Sequence, residues 1–341
     1  MTGKLVYWVW LSEAVKFSSS AFLKIYRKFT PEEAFFADND TLLNAGLKEE
    51  DIECIKERSL KRAEEIINKC EKLNISIVTA NSRNYPRILE RLSDRPPVIY
   101  VRGNISLLKN KCATVVGTRN MTKKGKEIAR ETAEKLIDEG YLLVSGGADG
   151  IDSVALSVSL EKDKPSVVVL AVDIDKCYPV SNKNLIDAVA KNGVVISEYP
   201  PDANARYFAT RNRILAALSD VLYVIEAPEK SGALITANIA KRLKINVFAP
   251  DEEGASFEGC RQLIKNGAGI IGKLKKKEKK KVMPELEGTP LYIYNKLLVK
   301  SLSDEELIDE NHSVTDILIA LTELELDGII TALPGGKYKI K

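Results

Sequence analysis

A single histidine, two tryptophans and three methionines stand in this 341-residue chain, and none of its five cysteines forms a CxxC pair. Cys54, Cys70, Cys112, Cys177 and Cys260 are an odd, scattered set. That spacing argues against a disulfide framework and a zinc site, and for a reducing compartment. No segment approaches eighteen uncharged apolar residues. The N-terminal run Leu5 to Leu11 is broken at Ser12 and Glu13 and has no basic stretch before it, so it reads as a core element. A soluble, cytoplasmic protein with no membrane partner is expected. Charge of one sign is also lacking: 51 Lys and Arg face 48 Asp and Glu, a formal +3. Taken whole, that balance offers no reason to expect a nucleic-acid partner.

The length exceeds what one core usually fills, so two or three domains are expected. Residues 1–72 read as short helices, with Thr30-Pro31-Glu32-Glu33 as a capped helix start. The run from Leu42 through Gly46 to Ile52 has the look of a helix-hairpin-helix, a unit that can hold a phosphate or serve only as a compact module. Trp8 and Trp10 read as core packing.

From 73 to 272 the pattern changes to short β-branched runs separated by amphipathic helices. The runs are Ala113–Val116, Leu142–Val144, Val167–Ala171, Val194–Ile196, Val221–Ile225 and Ile245–Phe248, spaced 24 to 29 residues apart. That is the length of one strand, crossover helix and return. Strands apolar at every position are buried on both faces, so the expected fold is α/β, a Rossmann-like doubly wound and mostly parallel sheet. Ile75–Thr79 and Pro97–Val101 add two strands.

Residues 273–283 hold seven lysines and one glutamate, a solvated linker that can also attract phosphate. Residues 284–341 read as helices followed by a hairpin, the pattern of a winged helix. This last unit carries 11 acidic residues and 5 lysines, a net of −6, so protein contact suits it better than DNA. The remaining +9 sits on residues 1–283.

Ligands of a doubly wound sheet bind beyond the carboxyl ends of its strands. The turns there are Gly117-Thr118-Arg119-Asn120, Ser145-Gly146-Gly147-Ala148-Asp149-Gly150-Ile151-Asp152, Tyr178 to Asn184, Phe208 to Arg213, and Glu226 to Thr236. Glycines, hydroxyls and cations at helix starts are phosphate-binding chemistry, and Tyr207 or Phe208 offers a surface for a base. No G-x-G-x-x-G follows the first strand and no G-x4-G-K-[ST] occurs, which disfavours a dinucleotide enzyme and a P-loop ATPase. His312 is too distant in sequence to complete a nucleophile pair with these turns. Glu226 and Asp152 read as helix-capping groups ahead of catalytic acids. Arg211 and Arg213 can be strand ligands or ion-pair partners of Glu198 or Glu226.

In these same segments the chain resembles the DNA-processing protein A (DprA/Smf) family. The resemblance rests on Val115 to Arg119, Ser145-Gly146…Gly150-Ile151-Asp152, Tyr178-Pro179, Ser197-Glu198, Arg211-Asn212-Arg213-Ile214 and Ser231 to Thr236. Asn84-Tyr85-Pro86, Pro96 to Gly103 and Leu324 to Ile330 match as well. The resemblance implies a non-enzymatic protein without cofactor or metal. It would bind and protect single-stranded DNA, form a homodimer through the Rossmann domain and help load a RecA-type recombinase, in natural transformation or general recombination. Carried over, the DNA-binding residues are Arg119, Lys183, Phe208, Arg211 and Arg213, with Gly117, Thr118, Gly146, Gly147, Asn182 and Ser231. The chain departs from the family pattern at Asp149, usually Arg, at Leu156, usually His, and at Ala209, usually Pro. Those departures mark the chain as a divergent member. The competing class is a Rossmann-like phosphoribohydrolase of the lysine decarboxylase-like type, which needs a PGG-x-GT-x-x-E helix start. Here the turn reads Lys230-Ser231-Gly232-Ala233-Leu234-Ile235-Thr236, without the acid.

Overall fold

The computed structural model describes residues 2–15, 20–272, 286–298, 300–327, 329–333 and 336–340. The chain divides into two compact units near residue 275. The Lys-rich linker expected at 273–283 lies outside the described residues.

The first unit begins with six helices, α1 (Thr2–Ala14), α2 (Ala21–Tyr26), α3 (Pro31–Phe36), α4 (Asn39–Asn44), α5 (Glu49–Cys54) and α6 (Lys61–Lys72). The Thr30 side chain and Glu33 close a reciprocal capping box at the start of α3, with Pro31 in the first turn. Between α4 and α5, Gly46 takes a positive φ of 85°, which favours glycine. Trp8 and Trp10 of α1 are buried, and the Trp10 indole N–H donates to the Glu57 carbonyl at 2.8 Å. Arg58 lies over the Trp10 ring and donates to the carbonyls of Ala34, Phe35 and Ala37 at the end of α3. One apolar core runs from Trp8 to Ala268, so these helices share it with the sheet that follows.

That sheet has nine strands. They are β1 (Ser76–Thr79), β2 (Val98–Gly103), β3 (Cys112–Val116), β4 (Leu142–Ser145), β5 (Ser166–Val169), β6 (Val194–Ser197), β7 (Val221–Val224), β8 (Asn246–Ala249) and β9 (Gly269–Ile270). Between them run α7 (Lys123–Asp138), α8 (Ile151–Glu161), α9 (Lys183–Asn192), α10 (Phe208–Leu218), α11 (Gly232–Arg242) and α12 (Glu258–Lys265). The spatial order is β1-β2-β6-β5-β4-β3-β7-β8-β9. Strands β3 to β9 pair in parallel, while β2 joins β6, and β1 joins β2, antiparallel. Every residue of β3, β4, β5 and β6 is buried, as expected of strands covered on both faces. The six expected runs and the two added strands are all present, with ends shifted by one or two residues; the two-residue β9 has no counterpart among the expectations.

Chain order reverses between β3 and β7: β4, β5 and β6 build to one side, β7 and β8 to the other. Right-handed crossovers in opposite directions then place α7, α8 and α9 on one face and α10 and α11 on the other. Contacts agree, with α7 on α8 and α10 on α11. The strand ends spread apart at the reversal and leave a crevice there.

The second unit holds α13 (Gly288–Leu297), β10 (Leu302–Ser303), α14 (Asp304–Leu307), α15 (Val314–Leu326), β11 (Ile330–Leu333) and β12 (Lys337–Ile340). Its three strands pair antiparallel in the order β10-β12-β11 over a small core that includes Ile293, Leu307, Ile317, Leu321 and Ile330. The expected helices and hairpin strands are found; β10, which completes the small sheet, was not anticipated.

Candidate functional site

The crevice at the reversal has a volume of about 420 Å³. Its walls come from the turn after β3, the start of α8, the first turns of α10 and the loop that enters α11.

A buried carboxylate builds the β3 turn. Glu226, fully buried just beyond β7, accepts from the Thr122 N–H at 2.9 Å and from its hydroxyl at 3.3 Å. The Thr122 oxygen in turn caps α7 by accepting from Gly125 N–H. A Cβ at position 125 would overlap the Glu226 carboxylate, so glycine is required there. The Thr118 N–H donates to the Glu226 carbonyl at 2.7 Å, which seats the Gly117-Thr118-Arg119 turn against β7.

The β4 turn is built in the same way. Asp152 sits in the first turn of α8 and accepts from the N–H groups of Gly146 (3.0 Å) and Ala148 (3.4 Å). Burial pushes the Asp152 carboxyl above its ordinary value, opposed by the Arg211 guanidinium and these backbone donors. At Gly150, φ is 80° and a Cβ would meet the Thr118 carbonyl, so glycine lets the two turns touch. Asp152 and Glu226 thus hold turns in place, but neither is the expected helix cap: the Thr122 side chain caps α7, and no side chain caps α8.

Arg211 lies on the crevice floor. It is 6% exposed, and its Nη1 donates to the carbonyls of Gly146 (2.9 Å) and Val169, tying the ends of β4 and β5 together. Burial lowers its pKa to about 10, so it stays protonated at neutral pH. The structure does not bring Arg213 to the crevice. Two residues further along α10, about 200° around the helix, Arg213 faces away and donates to Glu198 at 2.6 Å, with Asp94 3.1 Å from its Nε. It lines a different cleft with Arg91 and Arg242. The alternative of an ion-pair partner describes its surroundings.

Gly117, Thr118, Arg119, Phe208, Arg211 and Ser231 all line the crevice. Gly146 and Gly147 sit behind it, and Asn182 donates to the Gly147 carbonyl at 3.1 Å, lacing the β5 turn to the β4 turn. Asp149, where the family pattern has arginine, is exposed and accepts from the Ser181 hydroxyl at 3.0 Å. Lys183 is exposed at the start of α9, outside the crevice lining, and pairs with Asp187. Leu156 is fully buried in α8.

At the rim, two rings stand side by side with a cation against each. The Arg119 guanidinium lies 5.2 Å from the Phe208 ring centroid, Phe208 meets Tyr178 edge-on at 5.2 Å, and Arg206 lies 5.5 Å from the Tyr178 ring. Among the described residues Arg119, Arg206 and the nearby Lys230 have no ion-pair partner, so their charge is uncompensated. Tyr178 and Arg206 escaped the sequence reading: Tyr178-Pro179 read as turn chemistry, and nothing marks position 206 as meeting position 178. The row can stack bases on its rings and neutralise phosphates with its cations.

Burial pushes the thiols of Cys70, Cys112 and Cys260 up to about 12, so they remain protonated at neutral pH. Among the described residues no group of His, Cys, Asp and Glu is placed to hold a metal, and no helix is long and apolar enough to cross a membrane.

A family model, DNA recombination-mediator protein A, matches residues 76–282. Protein Smf of Escherichia coli (strain K12) is 30% identical over 297 residues, covering 80% of this chain and 79% of that protein. Protein Smf of Synechocystis is 37% identical over 208 residues, 58% of this chain; the match spans about half, 52%, of that relative's length. Two solved structures are similar. DNA processing protein A from Streptococcus pneumoniae is 27% identical with a TM-score of 0.66, over 77% of this chain and 92% of the other. DNA processing protein A from Helicobacter pylori, described for its single-stranded DNA binding mode, is 30% identical with a TM-score of 0.53, over 58% and 91%.

Proposed function

Since the chain belongs to the DNA recombination-mediator protein A (DprA/Smf) family, we propose that it binds single-stranded DNA in the crevice between β3 and β7. The strand lies along the row Arg119, Phe208, Tyr178 and Arg206. Two adjacent rings flanked by uncompensated cations carry this reading, because they suit a flexible chain of bases and phosphates. Backbone N–H groups around Gly117 and the hydroxyls of Thr118 and Ser231 assist with phosphates, and Lys183, Gly147 and Asn182 shape or extend the far wall. Arg211 and Arg213 are positioning residues: one pins the strand ends under the floor, the other anchors α10 to Glu198.

The protein acts on DNA without chemistry. A phosphoribohydrolase would need an acid at the start of α11, where Lys230-Ser231-Gly232 stands. The working division is a helical module over 1–72, a DNA-binding Rossmann-like domain over 73–272, a Lys-rich tether over 273–283 and a winged helix over 284–341. The winged helix, with its net −6, makes protein contacts. The bound strand is protected and handed to a RecA-type recombinase, and the Rossmann-like domain forms a homodimer, in the cytoplasm. Titration of labelled oligo-dT with the full chain tests the reading. Binding that weakens steeply with salt is expected, and no binding at low ionic strength would sink it.

A further inference from the structure

The Asn84-Tyr85-Pro86 segment has no part in the crevice. Tyr85 is 2% exposed and donates its hydroxyl to the Pro96 carbonyl at 2.7 Å, which pins the loop after β1. Arg83 and Arg87 flank that buried pair and are exposed. Facing them is the segment that enters β3. There the Asn104 side chain accepts from the Ser106 N–H and starts a short turn that delivers Lys109 and Lys111 to the surface. Together these residues surround a cleft of about 400 Å³, lined also by Asn84 and Asp220.

Its charge is unbalanced. Arg87 pairs with Glu90 at 2.7 Å, but among the described residues Arg83, Lys109 and Lys111 have no ion-pair partner. Asp220 accepts from the Cys112 N–H at 2.7 Å, where it holds β3 beside β7. Against the three unpaired cations stands one carboxylate, that of Asp220, so the concavity keeps a net positive charge that attracts an anion. Lysine and arginine heads with an asparagine amide form a donor set for phosphate oxygens.

We propose that this cleft is a second phosphate-binding site, on the edge of the sheet opposite the crevice. Lys111 precedes β3 and Gly117 follows it, so the two sites stand six residues apart along that strand, about 20 Å at ~3.3 Å per residue. The phosphates are either those of a bound strand continuing past the crevice, an arm that rests on the proposed function, or those of a free phosphorylated molecule.

The test replaces Arg83, Lys109 and Lys111 with alanine together in the full chain. All three are exposed, so the fold should survive, and circular dichroism checks it. One arm titrates a long and a short oligo-dT against salt. If the strand reaches the cleft, the salt slope for the long oligonucleotide flattens by about 2, at ~0.7 per lost phosphate contact, and the short one is unaffected. The second arm compares the thermal midpoint in inorganic phosphate and in chloride at equal ionic strength. A phosphate stabilisation present in the wild type and absent in the variant assigns the cleft to a free phosphorylated ligand. If both arms match the wild type, the site does not exist. Should the wild type bind no oligonucleotide, the crevice reading falls and the phosphate arm alone decides this one.

Discussion

Replacing Phe208 with alanine separates stacking from charge at the rim of the crevice. Its ring lies under the Arg119 guanidinium and against Tyr178, so truncation removes a platform while leaving every cation present. Base–aromatic stacking is worth about 1–3 kcal/mol per base. A loss near 2 kcal/mol weakens binding by ~30-fold. The dependence on salt should be unchanged, because no phosphate contact is lost. Arg119→Ala should behave in the opposite way, with a slope flattened by about 0.7 and similar weakening for every sequence. Fluorescence anisotropy of labelled oligo-dT over a salt series reads both quantities for the two variants and their double. A Phe208→Ala protein that binds like the wild type refutes the stacking role, and one that flattens the slope refutes the division of labour.

Arg213→Ala leaves Glu198 buried without its partner and should destabilise the first unit by about 3–5 kcal/mol, read by denaturant unfolding; a change under 1 kcal/mol would mean the pair contributes little. Gly125→Ala forces the Glu226 carboxylate from its place against Thr122 and should cost about 1–3 kcal/mol as overpacking, together with weaker oligonucleotide binding as the β3 turn shifts; wild-type unfolding and binding would show that the turn yields freely. Deletion of residues 284–341 should leave oligo-dT affinity within a few-fold of the full chain, and a large loss would mean that the acidic unit touches the strand.

Much of the sheet was legible in advance because its signal is local. A strand buried on both faces must be apolar at every position, and a parallel return needs a helix, so β3 to β8 announce themselves by composition and spacing. The two-residue strands β9 and β10 carry no such pattern, since so short a run has no periodicity. The capping box at Thr30 and the glycine turns were readable for the same local reason. Sequence order also placed the candidate turns, because strand ends of a doubly wound sheet share one edge.

The partners across that edge were not legible. Arg211 and Arg213 are the same residue type two positions apart, and either could have met the ligand. Only the packing of α10 on the sheet decides that one lies in the crevice floor and the other on Glu198. The row Arg119, Phe208, Tyr178 and Arg206 draws on three separate turns, so no spacing in the chain records it. Composition and periodicity therefore settle which segments are strands, which turns are flexible enough to approach a phosphate, and where charge is concentrated. Which side chains face one another is set by how helices pack across the sheet, since contacts between distant turns depend on the whole core that holds them.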